Sequence, residues 1–388
     1  MAYWVIFGLL PCLEPIGKAL KGSILKEMKQ LALVLVTATC MWGCSTDLEI
    51  NAPYEDITVV YGLLNPIDSI HFVKINKAYL GQGDALEFAQ IADSNEWSTE
   101  ALTAAKIHRV LNGQRISTFV LNDTLLTNRE PGTFYSPNQR MYYFSDPFRL
   151  VVGPTGSQTT FYLDAQSTYE LDLEVKGEKI SALAPMVNDF SFQNVDQNLG
   201  VDVNFVNSST GAFTNFELNW NSSTDGKRYV AEFEFNYSEV VGMETFPKSV
   251  RDRFGTAVST NSSASEPLSV TLDGQQFYST IAARTSPNAG VSRRIFTGLN
   301  FIVSVANEDF HTFLTLSEPV SGIIEDRPSF SNITNGYGIF AGRYTKSIIG
   351  KRLGPRSLDE LCNGSITGSF GFCSGLPADV SSPNVCPE

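Results

Sequence analysis

The chain has 388 residues, with 28 Lys and Arg against 41 Asp and Glu, for a formal net charge of −13. This acidic balance repels nucleic-acid phosphates and anionic membrane surfaces, so neither is expected as a ligand. The length behind a leader admits two β domains.

The first feature in chain order is the apolar run Leu31–Gly43, LALVLVTATCMWG. A membrane-spanning helix needs about 20 apolar residues. This run is shorter and has the length of a signal-peptide core. Met28-Lys29 lies directly ahead, so translation is expected to start at Met28, with Met1–Glu27 an upstream extension or part of a long signal. Met41-Trp42-Gly43-Cys44 resembles a bacterial lipobox, in which the peptidase cuts before the Cys and the thiol takes diacylglycerol. Trp42 departs from that pattern, and Thr39 makes Cys40 a poorer candidate. An ordinary secretory signal with an incidental Cys is the alternative. Each buried methylene contributes about 0.8 kcal/mol, so several acyl chains anchor stably where one does not. Residues 1–43 are therefore expected to be extension and signal, and residues 44–51 a lipidated tether.

Beyond the tether the chain reads as strands. Tyr169, Leu171, Leu173 and Val175 alternate with Glu170, Asp172 and Glu174, a strand with one wet face. Tyr229 to Tyr237 alternates likewise, and Phe216, Leu218 and Trp220 form a matching run ahead of Asp225-Gly226. Asp-Gly is a strong turn signal, so residues 216–237 are expected to form a β-hairpin. Further strands are expected at Ile57–Leu64, His71–Leu80, Lys106–Leu111, Thr118–Leu121, Phe148–Val152, Val201–Phe205 and Asn300–Val305. Helices are few. Asn307-Glu308-Asp309 can cap one through Phe310, Phe313 and Leu314 to Pro319, and a second starts at Asp273 and runs through Phe277 and Ile281. Their aromatic stripes read as packing faces. The expected fold is mostly β: an immunoglobulin-like sandwich over residues 52–186, a second β-rich, sandwich-like domain with one or two short helices over 187–350, and a loop-like, Cys-containing tail over 351–388.

Chemistry is sparse. The three His residues, His71, His108 and His311, have no HExxH partner, and the sequence has no GxSxG elbow, Walker A loop or GxGxxG after a strand. No enzyme activity, catalytic residue, cofactor or metal is expected. Asn221, Ser223, Asp225, Gly226 and Glu232 fit positions one, three, five, six and twelve of a calcium loop, but strands flank them, and the Asp-Gly turn explains the same residues. After Cys44 the only cysteines are Cys362, Cys373 and Cys386, which permit one disulfide in three ways and suit an oxidising compartment. Asn207-Ser208-Ser209 and Asn332-Ile333-Thr334 are sequons read as polar turns.

Three stretches carry a family resemblance: the Cys44 lipobox followed by EDITVVYGLLNPIDSIHFVKINKAYL, then VSVANEDFHTFLTL, then RPSFSNITNGYGIFAGRYT at 327–345. They resemble the Bacteroidota outer-membrane lipoprotein family known as domain of unknown function 4249. The matching motif is Ser331-Asn332-Ile333 followed by Gly336, Gly338 and Phe340. Its glycines read as backbone freedom or close approach near the final strand, a structural role. The tail departs from the family, with Cys362 and Cys373 eleven residues apart and no Trp. The resemblance implies a non-enzymatic, surface-exposed accessory or substrate-binding lipoprotein of the outer membrane, held by its lipid beside a SusC-type TonB-dependent barrel. An adhesin or fimbrial-type lipoprotein is the first alternative. A carbohydrate-binding lipoprotein is the second, with Trp97 and Trp220 the only Trp past the signal. Asp68-Ser69-Ile70 and Asp123-Thr124-Leu125 resemble a short O-glycosylation motif of the same bacteria.

Overall fold

The structure, a computed structural model, describes residues 55–80, 84–146, 149–152, 158–193, 200–261, 263–318 and 329–387. Residues 1–54, with the expected signal, Cys44 and the expected tether, lie outside the described residues, as does Pro319. The N-terminal half contains β1 (Glu55–Leu64), β2 (His71–Leu80), the short helices α1 (Ala85–Ala89) and α2 (Ala92–Asn95), β3 (Leu102–Leu111), β4 (Gln114–Val120), β5 (Asn122–Leu126), β6 (Gln139–Phe144), β7 (Arg149–Val152), β8 (Gln158–Phe161), β9 (Thr168–Val175) and β10 (Glu178–Pro185). The C-terminal half contains β11 (Phe216–Asn221), β12 (Arg228–Val241), β13 (Glu244–Val258), β14 (Pro267–Leu272), α3 (Gly274–Arg284), β15 (Arg293–Ala306), α4 (Glu308–Ser317), β16 (Tyr337–Lys351), α5 (Pro355–Asn363) and β17 (Phe372–Ser374).

The first half is a sandwich. The sheet β10-β9-β3-β4 faces β1-β2-β6-β5 across a shared core. The alternation in β9 decides which side faces inward: Tyr169, Leu171, Leu173 and Val175 are all buried. The turn into β10 places Lys176 (φ 49°) and Gly177 (φ 85°) both left-handed, the geometry that matches the twist of a tight hairpin. Tyr169 opens β9, and its hydroxyl accepts a hydrogen bond from the Asp164 backbone N–H at 3.0 Å. That is the tyrosine corner found in immunoglobulin-like sandwiches.

The second half repeats the device. Tyr229 opens the long part of β12, and its hydroxyl accepts from the Ser223 N–H at 2.7 Å. One face of β12 and β15, with Phe233, Phe235, Phe301 and Val303, packs on the β11–β14 pair and on α3. Phe205 stacks on Phe277 of α3 with ring centroids 4.2 Å apart. Asp273 and Asn307 cap α3 and α4 as expected, accepting from Gln276 N–H and Phe310 N–H.

The two halves share one sheet. β16 pairs antiparallel with β15 and parallel with β1, in the register Val59↔Tyr337 through Leu64↔Gly342. The result is a nine-stranded sheet in the order β13-β12-β15-β16-β1-β2-β6-β5, with β17 beside β15. Among the described residues there are two cores. Met186 belongs to the first and Val187 to the second, while Ile333 and Phe340 reach back into the first. Residues 53–388 form one compact unit.

Three expectations are corrected. The hairpin over 216–237 does not form: β11 pairs with β14, and β12 pairs with β13 and β15. Asp225-Gly226 is a corner between sheets, where a Cβ on Gly226 would sit 2.3 Å from the Tyr229 hydroxyl. Val201–Phe205 is not a strand; Val203 makes one isolated bridge to Leu353, and the Phe205 N–H donates to the Ser357 hydroxyl. The tail is not a loop, because Pro355 starts α5, which buries Leu358 and Leu361. The aromatic stripe of α4 is a half-buried packing face, with no residue fully buried; its Phe313 meets the half-exposed Tyr61 edge-on at 6.3 Å.

Candidate functional site

The Ser331–Phe340 motif is a staple. The Asn332 side chain donates to Asp309 (3.0 Å) and to the carbonyls of Phe340 (2.8 Å) and Leu183 (3.3 Å), and accepts from the Phe340 N–H (3.0 Å). It therefore ties β10, α4 and β16 together. The Ser331 hydroxyl accepts from the Ile333 N–H. Gly338 has φ 115°, and a Cβ there would lie 1.9 Å from the Val60 carbonyl oxygen; at Gly336 it would lie 2.8 Å from that of Thr58. Both glycines permit the close β1–β16 approach.

The calcium loop is dispersed. Glu232 pairs with Arg251 at 2.6 Å, the Ser223 hydroxyl bonds the Tyr229 hydroxyl at 3.1 Å, and Asp225 sits at the left-handed corner. Asn221 pairs with Pro267 in the β11–β14 ladder. Cys373 and Cys386 form the disulfide, and Cys362 is a free thiol whose burial pushes its pKa up to about 12. His108 bonds Thr118 (2.7 Å) and Asp172 (3.2 Å), a sheet contact. His71 is sealed against Phe144, and His311 lies on α4. Neither Asn207 nor Asn332 of the two sequons projects freely: the Asn207 side chain closes its own turn by accepting from Ser209 and Thr210 N–H. Asp68 and Asp123 of the short glycosylation-like motifs pair with Arg343 and Arg140.

What the sequence did not indicate is a cleft of about 300 Å³ on the outer face of β1 and β2. Val59 and Tyr61 on β1 lie opposite Asn76 and Lys74 on β2 and form its floor. Phe88 of α1, Asn95 of α2, and Arg129, Phe134 and Tyr135 of the loop between β5 and β6 line its walls. These walls are pre-built. The Asn95 amide donates to the carbonyls of Phe88, Ala89 and Ile91. Gln90 donates to the carbonyls of Gly132 and Thr133, and the Tyr135 N–H to that of Ala89.

The charges in the cleft are unbalanced. Glu96 is occupied by Arg140, accepting from its backbone N–H at 3.0 Å. Lys74 and Arg129 form no ion pair among the described residues. Arg129 lies over the Phe134 ring at 5.3 Å. Burial, and then the Arg129 charge, hold the Lys74 ammonium below its usual range, with Glu96 opposing. The Asn76 side-chain oxygen is buried without a partner. The arrangement can hold an anion with an apolar body. Only one signal in the sequence points this way: Lys74 and Asn76 alternate with the buried Val73 and Ile75, which assigns them to the outer face but not to a cleft. Compared with family models and with curated protein sequences, the chain has no significant match.

Proposed function

We propose that the chain is a lipid-anchored, non-enzymatic binding subunit serving a TonB-dependent outer-membrane transporter, with the β1–β2 cleft as its small-molecule site. The observation that supports it is a pre-built cleft lined by the cations Lys74, Lys77 and Arg129, with no carboxylate ion-paired to any of them among the described residues. In a chain of net charge −13, leaving these partly buried cations with only Glu96, itself bonded to the Arg140 N–H, as a nearby negative charge costs stability unless something else supplies more. Concave, half-apolar sites with a few polar groups are where small molecules bind.

The fimbrial alternative requires a sheet edge that accepts a foreign strand. The edge strand β13 carries Pro247, Lys248, Arg251, Asp252 and Arg253, features that discourage such pairing. For a sugar platform, Trp97 and Trp220 are both buried. The test is intact mass and a mild-detergent pull-down of the native protein. A triacylated Cys44 with a co-purifying barrel protein is the expected result. An unmodified protein without a barrel would refute the anchored-subunit reading.

A further inference from the structure

We infer that the cleft on β1 and β2 selects a small aromatic carboxylate that also offers an N–H donor, and does not select neutral aromatics or bare inorganic anions. This rests on the binding-subunit reading and adds the ligand class. Three features lead to it. Lys74, on the floor strand, and Arg129, on a loop fixed to α1, both line the cleft and can supply donors to one anion. Charge-assisted hydrogen bonds of this kind are the strong ones, and they are stronger still where water is scarce. Tyr61, Phe88 and Phe134 supply flat apolar surface in the same cleft, and flat rings prefer stacked or edge-on aromatic neighbours. The buried Asn76 oxygen has no donor, and an acceptor left unsatisfied in a site is a specificity element: a ligand N–H satisfies it, and an isostere without one does not.

A volume of about 300 Å³ is at the small end of ligand sites. It suits one fused ring with a short acidic side chain and excludes an oligosaccharide or a folded partner. Tyr61 also touches Phe313 of α4, so the floor of the cleft and that helix are in direct contact.

Indole-3-acetate has the ring, the carboxylate and the N–H, and is the probe. With the full chain in detergent, isothermal titration is expected to show one site. Indole, which lacks the carboxylate, and inorganic phosphate, which lacks the ring, are each expected to bind at least about tenfold more weakly. Lys74→Met and Arg129→Gln should each weaken indole-3-acetate about tenfold or more and indole by a several-fold smaller factor. Methylating the indole nitrogen should cost several-fold in the natural protein and nothing in Asn76→Ala. Should a variant fail to fold, the unmutated protein still decides the matter: indole-3-acetate should protect Lys74 from reductive methylation, read by peptide mass. Equal affinity for indole and its acid, unchanged binding by Lys74→Met and Arg129→Gln, or no protection of Lys74 would each overturn the inference. The outcome is separable from the transporter assignment, because ligand binding is measured on the purified chain and barrel association on the native membrane.

Discussion

His71 should make the protein acid-sensitive by a calculable amount. It sits on β2 at 2% exposure, its ring 5.0 Å from that of Phe144, and neither ring nitrogen has a partner. Burial, and then the Arg343 charge, lower its pKa from 6.5 to about 4. In the unfolded chain the imidazole titrates near 6.5. Between those values the unfolded state binds a proton that the folded state refuses, so stability falls as pH falls. The contribution is fully present above pH 6.5 and is lost as pH drops to about 4. Each tenfold difference in proton affinity is worth about 1.4 kcal/mol, so the whole loss is about 3 kcal/mol, and about 2 kcal/mol has gone by pH 5. Urea unfolding of the natural protein and of His71→Leu, at steps from pH 7.5 to 4, measures it. Carboxylates elsewhere titrate alike in both proteins and cancel in the difference. The gap between variant and natural protein should widen in favour of the variant by about 3 kcal/mol over that range. A gap that stays constant, with the His71 ring protons titrating near 6.5 in the folded protein by NMR, would refute the reasoning.

Gly338→Ala should cost about 4 kcal/mol or more, since the new methyl meets the Val60 carbonyl at 1.9 Å in a left-handed residue. Gly177→Ala, at φ 85° with open space around it, should cost only about 1 kcal/mol, and thermal melts compare the two. Tyr169→Phe and Tyr229→Phe each remove the acceptor for a backbone N–H, so each should lose about 1–2 kcal/mol by chemical denaturation. Because they lie in different cores, the double variant should lose the sum. Opening the Cys373–Cys386 bridge, which spans 13 residues, by a Cys-to-Ser pair should cost about 3 kcal/mol. Cys362, buried and held in its thiol form, should resist alkylation until the protein unfolds, as peptide mass would show.

What the sequence revealed was local. The alternation in β9 and the side-chain caps at Asp273 and Asn307 depend on near neighbours, and they appear in the structure as read. What it concealed was pairing at a distance. Asp225-Gly226 satisfied a hairpin and a sheet-to-sheet corner equally well, and the partner of β11 lies about fifty residues on, at Pro267–Leu272. The edge strand β13 exposes both faces at its start and contains Pro247, so it has no period to detect. In the tail, frequent Gly, Ser and Pro masked the start signal that Pro355 gives to α5. The cleft was hidden for the same reason as the β11–β14 pair. Lys74 and Arg129 are separated by a helix pair and three strands, and no spacing rule brings them together.

The shared sheet also decides whether the N-terminal half can stand alone. Excising residues 53–186 removes β16, and with it the six-residue parallel pairing to β1. It also removes Phe340, fully buried in the first core and packed so closely that a Cβ on Gly62 would lie 2.7 Å from its ring. Losing one such side chain from a core costs about 3–5 kcal/mol. Ile333 leaves the same core, the Asn332 bond to the Leu183 carbonyl goes, and the β1 edge is left bare. A domain of this size has about 5–15 kcal/mol in total, so the excised half should show no cooperative melt and poorly dispersed amide signals. Residues 53–388 should unfold in one calorimetric transition, with the two cores coupled through β16. A fragment that melts cooperatively near the temperature of the longer chain would mean that the β1–β16 seam contributes little, and that each core is sufficient by itself.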